Sequence, residues 1–205
     1  MCLLPEIDPK KLVGRDKAGF IKYGRVTRSG RMVNVLDPEV ESIDIFDIAS
    51  GLAYQGRFTG QTLGYYPVAT HSILVSYLVP PEQALAGLLH DAAEAYINDI
   101  PRPVKPLLLG YKTLDDRLSS CIAKKFRVPY PWSAEIHAAD QVAVAIEQNR
   151  LLLDTPYWPH IFTDAQVDEV LEANNLIWGW GDDSGDGITP EDAFTAFILR
   201  FEELT

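Results

Sequence analysis

Along most of the chain, apolar residues recur three or four positions apart, the spacing of helices with one face turned to a core. The exception comes early. Arg25-Val26-Thr27-Arg28-Ser29-Gly30-Arg31-Met32-Val33-Asn34-Val35-Leu36 sets β-branched residues on both sides of a Ser-Gly pair and predicts a β-hairpin. Ser42, followed by Ile43, Ile45, Phe46, Ile48 and Ala49, predicts an N-capped helix ending near Gln55-Gly56. A second helix is expected from about Pro67, carrying Val68, His71, Ser72, Leu74, Val75 and Leu78, with Pro80-Pro81 as its stop. From Glu82 to Tyr96 the residues Ala84, Leu85, Leu88, Leu89, Ala92 and Ala95 keep helical spacing on a strongly helix-favouring composition, so one further helix is expected. Asp99-Ile100-Pro101-Arg102-Pro103-Val104-Lys105-Pro106 reads as an extended loop held by three prolines. Helices are expected at about 112–126, 133–153 and 165–175, and Thr189-Pro190-Glu191-Asp192 opens a last one, with Thr189 as cap.

Residues 1–23 lack a clean period and read as an irregular leader, and the run from Trp178 to Gly187 reads as a glycine-rich, acidic connection. No internal repeat and no long linker interrupts the chain, so one domain over residues 1–205 is expected. The fold class is therefore mainly α: a helical bundle with a small β-hairpin near the N-terminus. At 47% apolar and 23% charged, the composition supports an ordinary core. The formal net charge of −11 disfavours duplex nucleic acid as a partner, because binding its phosphates needs a basic face. Small phosphorylated molecules stay open, since a metal ion and a few cations can dominate locally. Cys2 and Cys121 read as reduced thiols, the first residues lack the pattern of a signal peptide, and no apolar run is long enough to span a membrane. The expected address is the cytoplasm.

Four residues carry the candidate chemistry. His71 falls on the second helix, His90-Asp91 on the third and Asp140 on a later one, with eighteen residues before the His-Asp pair and forty-eight after it. Two imidazoles and two carboxylates suit a divalent Mn, Fe, Co, Ni or Zn ion better than an all-oxygen Ca site. Leu88, Leu89, Ala92 and Ala93 surround His90-Asp91, and Ala138, Ala139, Val142 and Ala143 surround Asp140. A charged carboxylate in apolar surroundings needs a partner, and a metal ion supplies one. Each residue has a plainer reading as well: His71 as a hydrogen-bonded core histidine, Asp140 as a cap or the partner of an arginine. Glu94, four residues after His90 and three after Asp91, shares their helical face and suits the orientation or deprotonation of a water. Without a metal it reads as a solvated glutamate, and Asp99 as either a supporting acid or a turn residue.

The run from His90-Asp91-Ala92-Ala93-Glu94 to Asp99-Ile100-Pro101-Arg102-Pro103-Val104-Lys105, with His71 upstream and Asp140 downstream, resembles the HD-domain phosphohydrolases. The likeness is nearest to the bacterial 5′-deoxynucleotidases and the phage-type enzymes that include dATP triphosphohydrolases. It covers roughly residues 25–155, leaving about 160–205 as a C-terminal helical extension. The resemblance implies one divalent metal held by His71, His90, Asp91 and Asp140, with Glu94 catalytic and Asp99 assisting. It implies substrate contacts from Arg57-Phe58, where Phe58 stands in place of a tryptophan, and from Lys105 and Lys112. It also implies a nucleotide substrate, with Mg accompanying its phosphates. Removal of triphosphate from a dNTP, dATP first, is the leading expectation; removal of phosphate from a dNMP is the alternative. Hydrolysis of (p)ppGpp is disfavoured by Ala95 after Glu94, where that family has Asp, and a binding-only protein by the retention of all five residues.

Other signals are weaker. Asp182, Ser184, Asp186 and Gly187 imitate a calcium loop, but Ala193 stands where a bidentate Glu is required. His137 reads as exposed and His160 as lacking a partner. Trp178 and Trp180 fit a subunit interface, so a homo-oligomer is expected.

Overall fold

A computed structural model describes residues 23–157, 159–174 and 187–205. The leader up to residue 22, the acidic connection as far as residue 186 with Trp178, Trp180, Asp182, Ser184 and Asp186, and Cys2 lie outside the described residues.

The hairpin forms as expected. Strands β1 (Gly24–Val26) and β2 (Met32–Asn34) pair antiparallel with Arg25 opposite Val33. Gly30 takes φ +83° in the turn, a left-handed conformation that side chains resist. Val33 is the hairpin's fully buried residue, and the tip is tied down by Asp47, which accepts hydrogen bonds from Ser29 N (2.8 Å) and Ser29 Oγ (2.7 Å).

The remainder is mainly helical. Helix α1 runs Ile45–Ala53, with Asp44 as cap and its side chain accepting from Phe46 N. The expected cap, Ser42, instead ends a 3-10 turn, Val40–Ser42, and donates to Glu39 O. Ile43 explains the shift: it is extended and fully buried, so the chain must straighten before the helix can begin. Helix α2 (Val68–Leu78) is buried at every position from Val68 to Ser76, as a helix enclosed by neighbours must be. It packs on α1, on α3 (Ala84–Leu89), on α6 (Ala134–Leu151) and on α8 (Pro190–Glu203). Two apolar clusters result. Ala69 and Ile73 of α2 belong to one with α1, α5 (Tyr111–Phe126) and α8; Leu74 and Val75 belong to the other with α6 and α7 (Asp164–Ala173). Ser133, Thr163 and Thr189 cap α6, α7 and α8. Among the described residues, no helix is long and apolar enough to cross a membrane.

The single helix expected over 82–96 is divided. After α3 the backbone tightens: Ala92 N bonds to Leu89 O, Glu94 N to Asp91 O and Tyr96 N to Ala93 O before α4 (Glu94–Ile97) ends at Asn98, φ 69°. These bonds span three residues instead of four, which narrows the turn at His90-Asp91. The proline segment is likewise wound instead of extended, with Val104 N and Lys105 N both on Pro101 O and a 3-10 turn at Lys105–Leu107.

Helices α1 and α4 touch at Gly51, where an added Cβ would lie 2.7 Å from Ala95 Cβ and 2.8 Å from Ala95 Cα. Helix propensity favours Ala over Gly by about 1 kcal/mol, while forcing atoms into a packed contact destabilises by about 1–3 kcal/mol. The clash with backbone wins for a larger residue. Gly51→Val is expected to lower stability by about 1–3 kcal/mol in denaturant unfolding; a variant as stable as wild type would contradict the close approach.

Candidate metal centre

Three neighbouring elements converge beneath a cleft. His71 projects from the buried interior of α2, His90 and Asp91 from the tight turn after α3, and Asp140 from α6. One ligand atom from each of His71, His90 and Asp140 lies within 4.8 Å of the other two, so this group could hold a metal ion. Asp91 Oδ2 is 3.2 Å from His90 Nε2 and 3.4 Å from His71 Nε2, and Asp140 Oδ1 is 3.2 Å from His71 Nε2. Both Nε2 atoms are buried and make no hydrogen bond. A buried, unbonded imidazole nitrogen carries a desolvation penalty unless something else satisfies it, and a cation between two carboxylates does so.

The opposite nitrogens are both committed. His90 Nδ1 donates to Gly87 O at 2.8 Å, a carbonyl that also accepts from His90 N. His71 Nδ1 donates to Glu147 Oε1 at 2.6 Å. Such bonds fix which ring nitrogen carries the proton and leave the other free for a ligand. Glu147 is fully buried and also receives Arg57, through Nε at 3.1 Å and Nη2 at 3.0 Å. Arg57 Nη1 lies 3.8 Å from Asp91 Oδ2.

Above the ligand atoms opens a cleft of about 410 Å3, lined by Phe58, Asp91, Glu94, Asp99, Arg102, Lys105, Asp140, Val144 and Gln148 among others. Glu94 is 2% exposed; Lys105 Nζ donates to its Oε1 at 2.9 Å, while Oε2 has no hydrogen-bond partner. Gln55 joins α1 to this corner, donating to Glu94 O and accepting from Asp99 N. Phe58 and Thr59 both take left-handed backbone (φ 53° and 54°), and the Phe58 ring lies against the Arg57 guanidinium. Arg102 Nη2 sits 3.6 Å from Asp140 Oδ2 at the exposed rim.

Electrostatics separate the acids. Burial raises the pKa of Asp91, but His90, His71 and Arg57 outweigh it and hold the carboxyl well below its usual range. Asp140, also opposed by burial, is brought to about 2 by the His71 imidazole beside it, with His90 adding to the pull. Glu94 goes the other way: burial, then Asp91 and Asp99, push it well above the usual carboxyl value despite Lys105. Asp99 is raised chiefly by burial. Burial and Arg57 pull His71 down, yet Glu147 and Asp140 carry it up to about 9.

Nine of the ten residues singled out in the sequence thus meet at one place. Lys112 does not. It sits exposed on α5, its ammonium held by Asp116 at 2.9 Å, and does not line the cleft. Glu147, Gln148, Gln55 and Arg102 were not singled out. Glu147 was legible in principle, seven residues after Asp140 and so two turns along the same face, directly after the apolar run Val142-Ala143-Val144-Ala145-Ile146. His137 is exposed, as expected, whereas His160 Nε2 bonds Leu152 O at 2.9 Å.

A scan against protein-family profiles returns no match. The chain is 41% identical over 166 residues, 80% of its length and 86% of the relative, to the uncharacterized protein YfdR of Escherichia coli. It is 40% identical over 157 residues, 70% of its length and 76% of the relative, to the uncharacterized protein RCAP_rcc00048 of Rhodobacter capsulatus. The chain belongs to the family that these two proteins represent.

A proton on His71 competes with any cation. Because the metal-free imidazole is held up to about 9, it is protonated at neutral pH and must release that proton to bind through Nε2. Metal affinity should therefore strengthen as pH rises, by about tenfold per unit between roughly pH 6 and pH 8.5. Calorimetric titration with Co2+ reads this directly, and a flat profile would exclude His71 as a ligand.

Proposed function

We propose that this chain is a metal-dependent phosphohydrolase of the HD type acting on deoxynucleotides, with tripolyphosphate release from a dNTP as the leading reaction. The observation that carries the reading is the pair of buried, unbonded Nε2 atoms of His71 and His90 set between the carboxylates of Asp91 and Asp140 at the floor of an open cleft. These four side chains would hold a divalent Co, Mn, Fe, Ni or Zn ion, which when bound polarises a phosphate oxygen and lowers the pKa of a water. Mg would accompany the substrate's phosphates.

The chain's own residues supply the remainder. Glu94, buried and raised in pKa and therefore more basic than an exposed carboxylate, accepts the proton of the attacking water. Lys105, beside it, and Arg102 at the rim meet the phosphate oxygens and offset the charge that develops there. Asp99, held by Gln55 through its backbone, backs Glu94 and keeps its proton affinity high. The Phe58 ring offers an apolar wall for sugar or base.

Phosphate release from a dNMP is the second reading, and a specific observation favours it. Among the described residues, the basic side chains lining the cleft are Arg57, Arg102 and Lys105, of which Glu147 holds the first and Glu94 the third. That is a small cationic complement for three phosphates.

Product analysis of Co2+- or Mn2+-loaded protein against all dNTPs and dNMPs separates the two: tripolyphosphate with a deoxynucleoside supports the first, phosphate from dNMPs alone the second. Turnover of neither class would reject the reading. Glu94→Gln should lower kcat by about 10²- to 10⁴-fold with metal content unchanged. Lys105→Ala should raise KM, and Lys112→Ala should change neither constant; an equal effect of the two lysines would overturn the assignment of Lys105 to the cleft.

A further inference from the structure

His71 and His90 are held in different ways. His90 leans on a neutral backbone carbonyl, whereas His71 leans on a carboxylate that is itself wholly out of water. A fully buried carboxylate persists only where charge and hydrogen bonds answer it. Here the answer comes from His71 on one oxygen and the Arg57 guanidinium on the other, with the buried Tyr66 hydroxyl beside the same carboxylate. Arg57 is buried in turn, with Nε and Nη2 spent on Glu147 and Nη1 left 3.8 Å from Asp91.

We propose that Glu147 is the positioning residue of the centre, doing two things at once: it fixes His71 with Nε2 turned to the cation, and it holds Arg57 back from Asp91. The inference rests on the metal-dependent reading above and deepens it. Its geometry is a closed ring, from Glu147 through His71 to Asp91, across to Arg57 and back to Glu147. Were the carboxylate replaced, His71 would lose the acceptor that keeps its proton on Nδ1. The guanidinium would also lose its nearer anion and turn to Asp91, where it competes with the metal for the same oxygen. Arg57 therefore acts on substrate through the centre and not as a phosphate contact. This sets it apart from Lys105 and Arg102, whose charges face the cleft from its rim and its proline loop.

Two measurements test this. In wild-type protein loaded with Zn2+, imidazole 15N spectra should show His71 bound through Nε2 with Nδ1 protonated; binding through Nδ1 would overturn the proposal without any variant. Co2+ dissociation constants are then compared for wild type, Glu147→Gln, Arg57→Gln and the double variant, with thermal unfolding of each metal-free protein alongside. Glu147→Gln should weaken Co2+ binding by about 10- to 100-fold. The double variant, relieved of the stray guanidinium, should recover several-fold of that loss, a rescue that a merely structural role for Glu147 does not produce. If Glu147→Gln alone fails to fold, the double variant, which removes both buried charges, carries the comparison and should still bind Co2+ more weakly than wild type. Wild-type affinity in Glu147→Gln, or in the double variant, would overturn the proposal. So would additive losses in the double variant, or an Arg57→Gln that raises KM alone. A wild-type protein that takes up no divalent cation would overturn both this and the metal-dependent reading, whereas normal uptake with unaltered variants would overturn this inference only.

Discussion

Helix α2 lies out of water from Val68 to Ser76, and the surrounding arrangement answers to that constraint. An imidazole placed on such a helix has no solvent to satisfy its nitrogens, so other segments must. For His71 they are α6, which sends Asp140 and Glu147, and the turn after α3, which sends Asp91. Glu147 then needs Arg57, and the 3-10 turn that carries Arg57 passes into the left-handed backbone of Phe58 and Thr59. Burial of one helix thus draws charge from three directions to a single point, and the cleft sits where those directions meet.

Much of this was legible in the amino-acid pattern, for identifiable reasons. The hairpin around Ser29-Gly30, α2 between Pro67 and Pro80, and the helices capped by Ser133, Thr163 and Thr189 are set by local rules: turn chemistry, proline stops and N-caps. Where local rules compete with packing, the pattern misled. Ser42 is a good cap by type, yet burial of Ile43 pushed the helix start to Asp44. The stretch from Ala84 to Tyr96 has unbroken helical spacing, and no residue in it signals the narrowed turn that the His-Asp pair adopts.

The centre divides similarly. Four potential ligands stood out because acids and histidines on apolar faces are conspicuous by type and position. Glu147 did not, since a glutamate in a helix is unremarkable until its depth is known. Lys112 illustrates the converse. Its charge suited a phosphate contact, but a helix offers an acid four residues on, Asp116, and the shorter reach decided the matter.

Pro101, Pro103 and Pro106 frame the segment that brings Arg102 and Lys105 to the cleft. Each ring locks one backbone angle, so this rim has few alternative shapes to lose when a ligand arrives. Ordering a flexible loop opposes binding, and a rim stiff beforehand avoids much of that entropy loss. On the proposed reading, selectivity at this mouth comes from the spacing between two cations rather than from closure around the guest, which would make the cleft a gauge of where negative charge lies on what enters.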